Sequence, residues 1–560
     1  MSRVAAFLLS ILLCAAFVAA RAHAQGTAKA AAPPVTQAEA GKWREDLRYM
    51  AEEMPKYHYN LFHTLRREEF EGAVRRLHER IPQLARHQII IEMARIVAMV
   101  GDGHTNISPT RDPKIGFRSL PVKLYLFKDG LFIRAAQREQ AEMVGARVLK
   151  IGNATVEEAF ARAREIIGHD NEMDIKFFAP HLLVMPEVLD ALGLVENMEA
   201  VTFTVEQNGK RRDVVLRPAG AADMIPPDTD TTWMPKPGWV DMRDEATAAT
   251  PLWLKDPANK FWFEHLKESR TLYVQINQVT NKDTETLADF TRRLFAFAKA
   301  NAVEKLVFDL RLNRGGNGTL LRPLEIGLIK SPLDRPGSLF TIMGRSTWSA
   351  AQFLLNRLEK YTNTLFVGEP SGSKGNIYGD SRRITLPNSG ITVRVSVYYW
   401  QEWEPWDTRL WTAPHLTTEL TSADYRANSD PALKAILNYA PRERLSDILN
   451  KALGGGGVEL AARKFREFKA DALNRYADTE EPLLVAGQRL LDENKPEQAL
   501  VLFKLDAEEN PHSFRAYFAM GEAYFRSGNK EQAALNFEKA LGLNPKSYDV
   551  ASRLRELRQK

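Results

Sequence analysis

The sequence predicts a multidomain α+β chain made of a helical cap, a β-rich module, an α/β core and a C-terminal α-solenoid. Three observations lead there. Apolar residues recur at helical spacing from Trp43 to Val100, strand-like runs alternate with helical stretches from Thr271 to about Ala440, and a set of residues near the C-terminus repeats every 34 positions. The 560 residues hold 76 Lys+Arg against 71 Asp+Glu, with 44% hydrophobic and 26% charged residues. That is globular composition, and a net charge of +5 gives no reason to expect nucleic acid or a membrane surface as partner.

Residues 1–24 read as a secretory signal: Arg3, an apolar run from Val4 to Ala20, then Ala22-His23-Ala24 before Gln25. The expectation is an exported, periplasmic protein without stable membrane insertion. The single Cys, Cys14, falls inside this segment, so the mature chain has no thiol and no disulfide. Residues 25–112 are the predicted cap, with Trp43, Leu47, Met50, Met54, then Phe70, Val74, Leu77, Ile81, then Ile90, Met93, Val97, Val100 as three helical stripes. It ends at Gly-Asp-Gly-His-Thr-Asn, residues 101–106. The β-rich module, 113–219, contains strand runs at 121–127, 131–135 and 146–151, a short helix bearing Val156, Phe160 and Ala163, and a hairpin over 201–217 around Asn208-Gly209. Residues 220–262, rich in Pro, Asp, Thr and Trp without periodicity, are expected to form a linker or insertion.

In the core, 263–440, strands at 272–279, 305–310, 339–344 and 364–369 alternate with helices at 284–300, 319–330 and 349–361. This implies a mostly parallel sheet with functional groups in the loops after its strands. Residues 441–480 are a polar helical linker broken by four glycines at 454–457. In 481–560, Gly487 and Gly521, Ala499 and Ala533, Phe503 and Phe537, and Pro511 and Pro545 are each 34 residues apart, the tetratricopeptide period.

Three loops hold the groups that acyl transfer needs: 309–318 (DLRLNRGGNG), 344–352 (GRSTWSAAQ) and 367–376 (VGEPSGSKGN). Together with DGHT at 102–105 and the segment 386–397, they resemble the tail-specific, or C-terminal processing, family of serine peptidases. The resemblance implies a ClpP/crotonase-like core and a PDZ-like character for residues 113–219. Ser349 stands where a strand gives way to a helix, and the first helical N–H groups there lack intrahelical partners. An oxyanion on a carbonyl attacked by Ser349 could take the Ala350 N–H and a donor from the Gly315-Gly316 turn. Lys374 occupies the position of the family's general-base lysine, and needs a pKa well below its usual value to act. His104 is the rival base, which needs no large shift. The lysine loop reads G-S-K-G where the family often has F-G-K-G, and Arg314 stands where proline is common.

A serine at a helix start is commonly an N-cap only, Lys374 alone would be a solvated loop lysine, and His104 could merely orient its turn. Ser346 fails the G-x-S-x-G pattern. The His residues are scattered without metal-ligand spacing, and no cofactor is expected. The sequence thus points to a serine-type peptidase acting on peptide or protein substrates, with a possible protein partner on the repeats. A peptide-binding scaffold that has lost turnover is the alternative, and an esterase on the same site is a third.

Overall fold

The computed structural model describes residues 32–226 and 230–559, so the predicted signal segment lies outside the described residues. Helices α1 (Gln37–Tyr57), α2 (Arg67–Arg80) and α3 (Arg86–Ala98) form the cap. Thr36 starts α1 with a capping box: its hydroxyl accepts the Glu39 N–H at 3.3 Å, and the Glu39 carboxylate accepts the Thr36 N–H at 2.8 Å. The stripe of Trp43, Leu47, Met50 and Met54 is buried. Next come β1 (Val122–Phe127), β2 (Gly130–Gln137), β3 (Arg147–Ile151), β4 (Ala154–Thr155), α4 (Val156–Arg164), α5 (Glu172–Leu182), α6 (Pro186–Ala191), β5 (Val201–Gln207) and β6 (Lys210–Leu216). The sheet is antiparallel in the order β1-β2-β3-β5-β6, and Asn208 and Gly209 turn the β5–β6 hairpin with φ of 53° and 73°.

The cap and the β-rich module are not two cores. Leu47, Ile90, Val148, Phe203 and Val393 belong to one apolar cluster, because the cap helices lay their stripes on elements that expose apolar faces of their own. The described residues of 220–262 lie over the β-rich module. Their β7 (Trp239–Asp241) pairs with β2, and Trp233 and Trp253 meet edge to face at 4.9 Å in a cluster with Phe127, Phe132 and Tyr425. Aromatic burial orders this strap where periodicity is missing. After the short α7 (Leu252–Lys255), β8 (Phe261–Leu266) opens the core.

The core sheet runs β15-β12-β11-β10-β9-β8. Strands β9 (Thr271–Ile276), β10 (Lys305–Asp309), β11 (Leu339–Met343), β12 (Leu365–Gly368) and β15 (Leu416–Thr417) are parallel, and β8 is antiparallel to β9. Every residue of β9 and β11 is buried, as expected when helices cover both faces. Helices α8 (Leu287–Ala300), α9 (Arg322–Ile329) and α10 (Ala350–Tyr361) connect the strands. A separate hairpin, β13 (Asn376–Thr385) with β14 (Thr392–Gln401), leaves the core and reaches the cap. There the buried Asp46 carboxylate accepts the Asn388 and Ser389 N–H groups, each at 2.8 Å.

Past α11 (Ser422–Arg426) and α12 (Pro431–Leu437), α13 (Leu445–Ala470) continues through the glycine run, with only Gly457 leaving helical geometry at φ 70°. Helices α14 (Glu480–Asp492), α15 (Pro496–Glu509), α16 (Phe514–Arg526), α17 (Lys530–Leu543) and α18 (Tyr548–Gln559) complete the tail. No helix among the described residues is long and apolar enough to cross a membrane.

Candidate active site

Ser349 sits on a sharp turn from β11 into α10, with φ 55° and ψ −124°. This left-handed conformation costs a non-glycine residue on the order of 1–3 kcal/mol, and it persists only where the surroundings over-determine it. They do so here. The Thr347 hydroxyl accepts the Gly344 N–H at 3.0 Å and donates to the Leu310 carbonyl at 2.9 Å, while the Trp348 N–H donates to the Asn313 carbonyl at 3.1 Å. The Ser349 N–H donates to the Ser373 hydroxyl at 3.2 Å, and its carbonyl accepts the Gln352 N–H at 2.8 Å. Ser349 is half-buried, its side chain lining a cleft. Ser346, the competing serine, is buried and donates to Asp230 at 2.7 Å.

His104 Nε2 lies 3.2 Å from Ser349 Oγ, across 245 residues of sequence. The imidazole stacks on Trp348, with ring centroids 3.9 Å apart and planes 15° from parallel. Its loop is held by the buried Asp102. That carboxylate accepts the N–H groups of His104 and Thr105 at 3.0 and 2.8 Å, the Ser396 hydroxyl at 2.7 Å, and the His58 ring at 2.9 Å. Burial lowers the His104 pKa to about 3; Asp102 opposes the fall, and the cations of Arg111 and Arg314 add to it. The imidazole is therefore neutral across the physiological range, as a general base must be. Lys374 is partly exposed in the loop between β12 and β13, and the hydrogen-bond partner of Ser349 Oγ is His104 rather than this lysine.

The glycine turn packs directly against Ser349. A Cβ on Gly315, whose φ is 106°, would lie 2.8 Å from Ser349 Cβ and 2.9 Å from the Ala350 nitrogen. Its donor role is corrected: the Gly315 N–H is taken by the Asn313 side chain at 2.9 Å, so Gly315 contributes close approach and not a hydrogen bond. Among the described residues the N–H groups of Gly316 and Ala350 have no acceptor, and these two remain for an oxyanion. Asn313 pins the turn to the sheet by donating to the Ile276 carbonyl at 3.0 Å.

Ser349 and Gly316 open onto a cleft of about 1080 Å³. Phe353, Ile377 and Trp400 supply apolar wall, and Ile326, Ile329 and Tyr361 are exposed along its outer side. Arg357 is neutralised by Glu325 and Glu402. Behind His104 lie groups that sequence reasoning missed. Arg314 is fully buried against Phe177 at 4.1 Å, Phe178 at 5.0 Å and Trp348 at 5.2 Å. Asp174 is buried within its field, and Asp170 is buried next to Asp174. Burial raises Asp170 to about 6 against the pull of Lys374, and burial together with Asp170 raises Asp174 well above the usual carboxyl value. Asp102 had a visible signal in the DGHT motif. Asp170 and Asp174 had none, because nothing in 165–200 marks a site by spacing.

A family model for the tetratricopeptide repeat matches residues 514–547. No curated protein matches the chain. Among solved structures, a serine-to-alanine mutant of CPAF is 12% identical, with 72% of this chain and 99% of that chain covered, at a TM-score of 0.50. The photosystem II D1 C-terminal processing protease is 14% identical, over 72% of this chain and 97% of that one, at a TM-score of 0.30. A Parabacteroides merdae ATCC 43184 protein described as a peptidase is 12% identical, over 71% and 97%, at a TM-score of 0.35. The likeness to CPAF shows a shared fold.

Proposed function

We propose that this chain is an exported serine peptidase that hydrolyses peptide bonds through an acyl-enzyme on Ser349, with His104 as the general base. One observation carries the reading: Ser349 Oγ lies 3.2 Å from His104 Nε2, the N–H groups of Gly316 and Ala350 are unclaimed, and Ser349 and Gly316 open onto a cleft. His104 takes the Ser349 hydroxyl proton as Oγ attacks the substrate carbonyl. The resulting oxyanion is held by the Gly316 and Ala350 N–H groups, each donor of this kind being typically worth about 3–4 kcal/mol of barrier. The protonated imidazole gives the proton to the leaving amine, and a water then repeats the cycle to free the acid. For this step the imidazole carries its proton on the buried Nδ1 and presents the Nε2 lone pair to Oγ. The PDZ-like module would bind an extended substrate segment by strand addition, and the repeats would dock a protein partner.

The test is cleavage of an unstructured protein by residues 25–560, read by mass spectrometry, beside Ser349→Ala, His104→Ala and Lys374→Ala. The expected result is loss of cleavage with the first two and a weaker enzyme with the third. Loss with Lys374→Ala and retention with His104→Ala would overturn the choice of base. Equal inertness of wild type and Ser349→Ala, with peptide still bound, would establish the scaffold reading instead.

A further inference from the structure

The loop Gly168–Asn171, which leads into α5, touches both loops that flank Ser349, and the mechanism above makes no use of it. Gly168 is packed so tightly on the histidine loop that a Cβ there would lie 2.3 Å from the Thr105 carbonyl oxygen and 2.9 Å from that of Asp102. Asp170 Oδ1 accepts the Gly103 N–H at 3.0 Å, one residue before His104. The same carboxylate lies beside the Ser373 hydroxyl and in the field of the Lys374 ammonium. Asn171 Nδ2 donates to the carbonyls of Ser371 at 3.1 Å and Leu410 at 2.7 Å, so the loop is fastened to the lysine loop by a second residue. Ser373 in turn accepts the Ser349 N–H.

We infer that Asp170 is a positioning residue for the Ser349–His104 pair, tying the loop that carries His104 to the loop whose Ser373 holds the Ser349 main chain. The inference rests on the reading of Ser349 as nucleophile. Chemistry favours a carboxylate at this point. It accepts the Gly103 N–H with the strength of a charged acceptor, and a nearby lysine offsets part of the cost of burying that charge. Lys374 then acts as the counter-charge of Asp170. The Asp170 N–H donates to Asp174 Oδ2 at 2.9 Å, which holds the turn in the shape that aims the carboxylate. Control of this kind matters because a 1 Å error in the placement of a reacting group costs on the order of 100-fold in rate.

The experiment uses residues 25–560, a peptide cut by the wild type, and a fluorophosphonate that labels an activated serine. Asp170→Ala is expected to lower kcat by at least about 30-fold with KM within about twofold, and to slow phosphonate labelling in parallel. Asp170→Asn keeps an acceptor for the Gly103 N–H and is expected to rescue most of that loss. If Asp170→Ala fails to fold, Ser373→Ala removes the link from the other side and should lower kcat about tenfold with KM unchanged. Unchanged kcat and labelling in a folded Asp170→Ala or Ser373→Ala, or a loss in Asp170→Asn as deep as in Asp170→Ala, would overturn the inference while wild-type labelling keeps Ser349 as nucleophile. A wild type that neither cleaves nor labels would remove the nucleophile and this inference together.

Discussion

Burial of a neutral His104 makes the chain acid-sensitive in a way that can be isolated. Its folded pKa is about 3, whereas an unfolded imidazole titrates near 6.5. Between those values the unfolded state binds a proton that the folded state does not, so stability falls as pH falls. At about 1.4 kcal/mol per pH unit, moving from pH 7 to pH 5 costs about 2 kcal/mol through this residue alone. Asp170 works in the opposite sense. Its pKa is raised to about 6, so the folded state takes up a proton before the unfolded one, and stability is gained as pH falls from about 6 towards the ordinary carboxyl value. Wild-type curves mix the two, and the difference between wild type and His104→Phe separates them, since phenylalanine can still stack on Trp348 and binds no proton. Urea denaturation of both proteins at pH 7 and pH 5, followed by tryptophan fluorescence, should show the wild type losing about 2 kcal/mol more than the variant. A gap between the two proteins that is the same at both pH values would refute a buried, neutral imidazole beside Ser349.

Three further outcomes are expected. Ser349→Gly should abolish cleavage yet raise stability by about 1 kcal/mol, because glycine adopts φ 55° without strain; thermal denaturation that shows no gain would count against strain at the turn. Gly315→Ala should lower kcat at least about 100-fold with little change in KM, since its Cβ would crowd Ser349 Cβ and the Ala350 nitrogen where an oxyanion must sit; steady-state kinetics decide it. Gly521→Ala should loosen the tail and spare the active site, because the new Cβ would lie 2.4 Å from the Phe537 ring; limited proteolysis should cut within 481–560 while the core stays intact and active.

The parallel core is legible in the sequence because each strand is a short apolar run bounded by turn residues and followed by a helical stripe. The repeats are legible for a related reason: Gly487 receives the ring of Phe503 and Gly521 that of Phe537, so the glycine and the phenylalanine must recur together. Ser349 and His104 are both visible as motif residues. The choice between His104 and Lys374 is not, because each stands in a loop whose distance from Ser349 depends on how separate elements dock. The shared core of cap and β-rich module is hidden for the same reason, since an amphipathic stripe does not name the surface it will cover. The donor pattern of the glycine turn is hidden at a finer scale. Two adjacent glycines look equivalent until the Asn313 side chain claims one N–H.

The proposed pair of Ser349 and His104 is assembled across two apolar cores. Ser349 precedes Ala350 and Leu354, which pack in the cluster beneath the parallel sheet, whereas the His104 loop follows α3, whose Ile90 and Val97 pack with the cap and β-rich module. The β13–β14 hairpin spans both, with Ile377 in the first cluster and Val393 and Val395 in the second. It also grips the histidine loop directly: the Ser381 hydroxyl donates to the His104 carbonyl at 2.9 Å, and Asn106 bridges to Arg394. The 3.2 Å between Nε2 and Oγ is therefore set by the hairpin and by the Asp170 loop, which fix the position of one core against the other. A small rotation between the cores would part base from nucleophile while leaving each core folded. On the proposed mechanism, rate therefore depends on how the two cores dock, and the polar contacts that bridge them are where substitutions should change rate before they change folding.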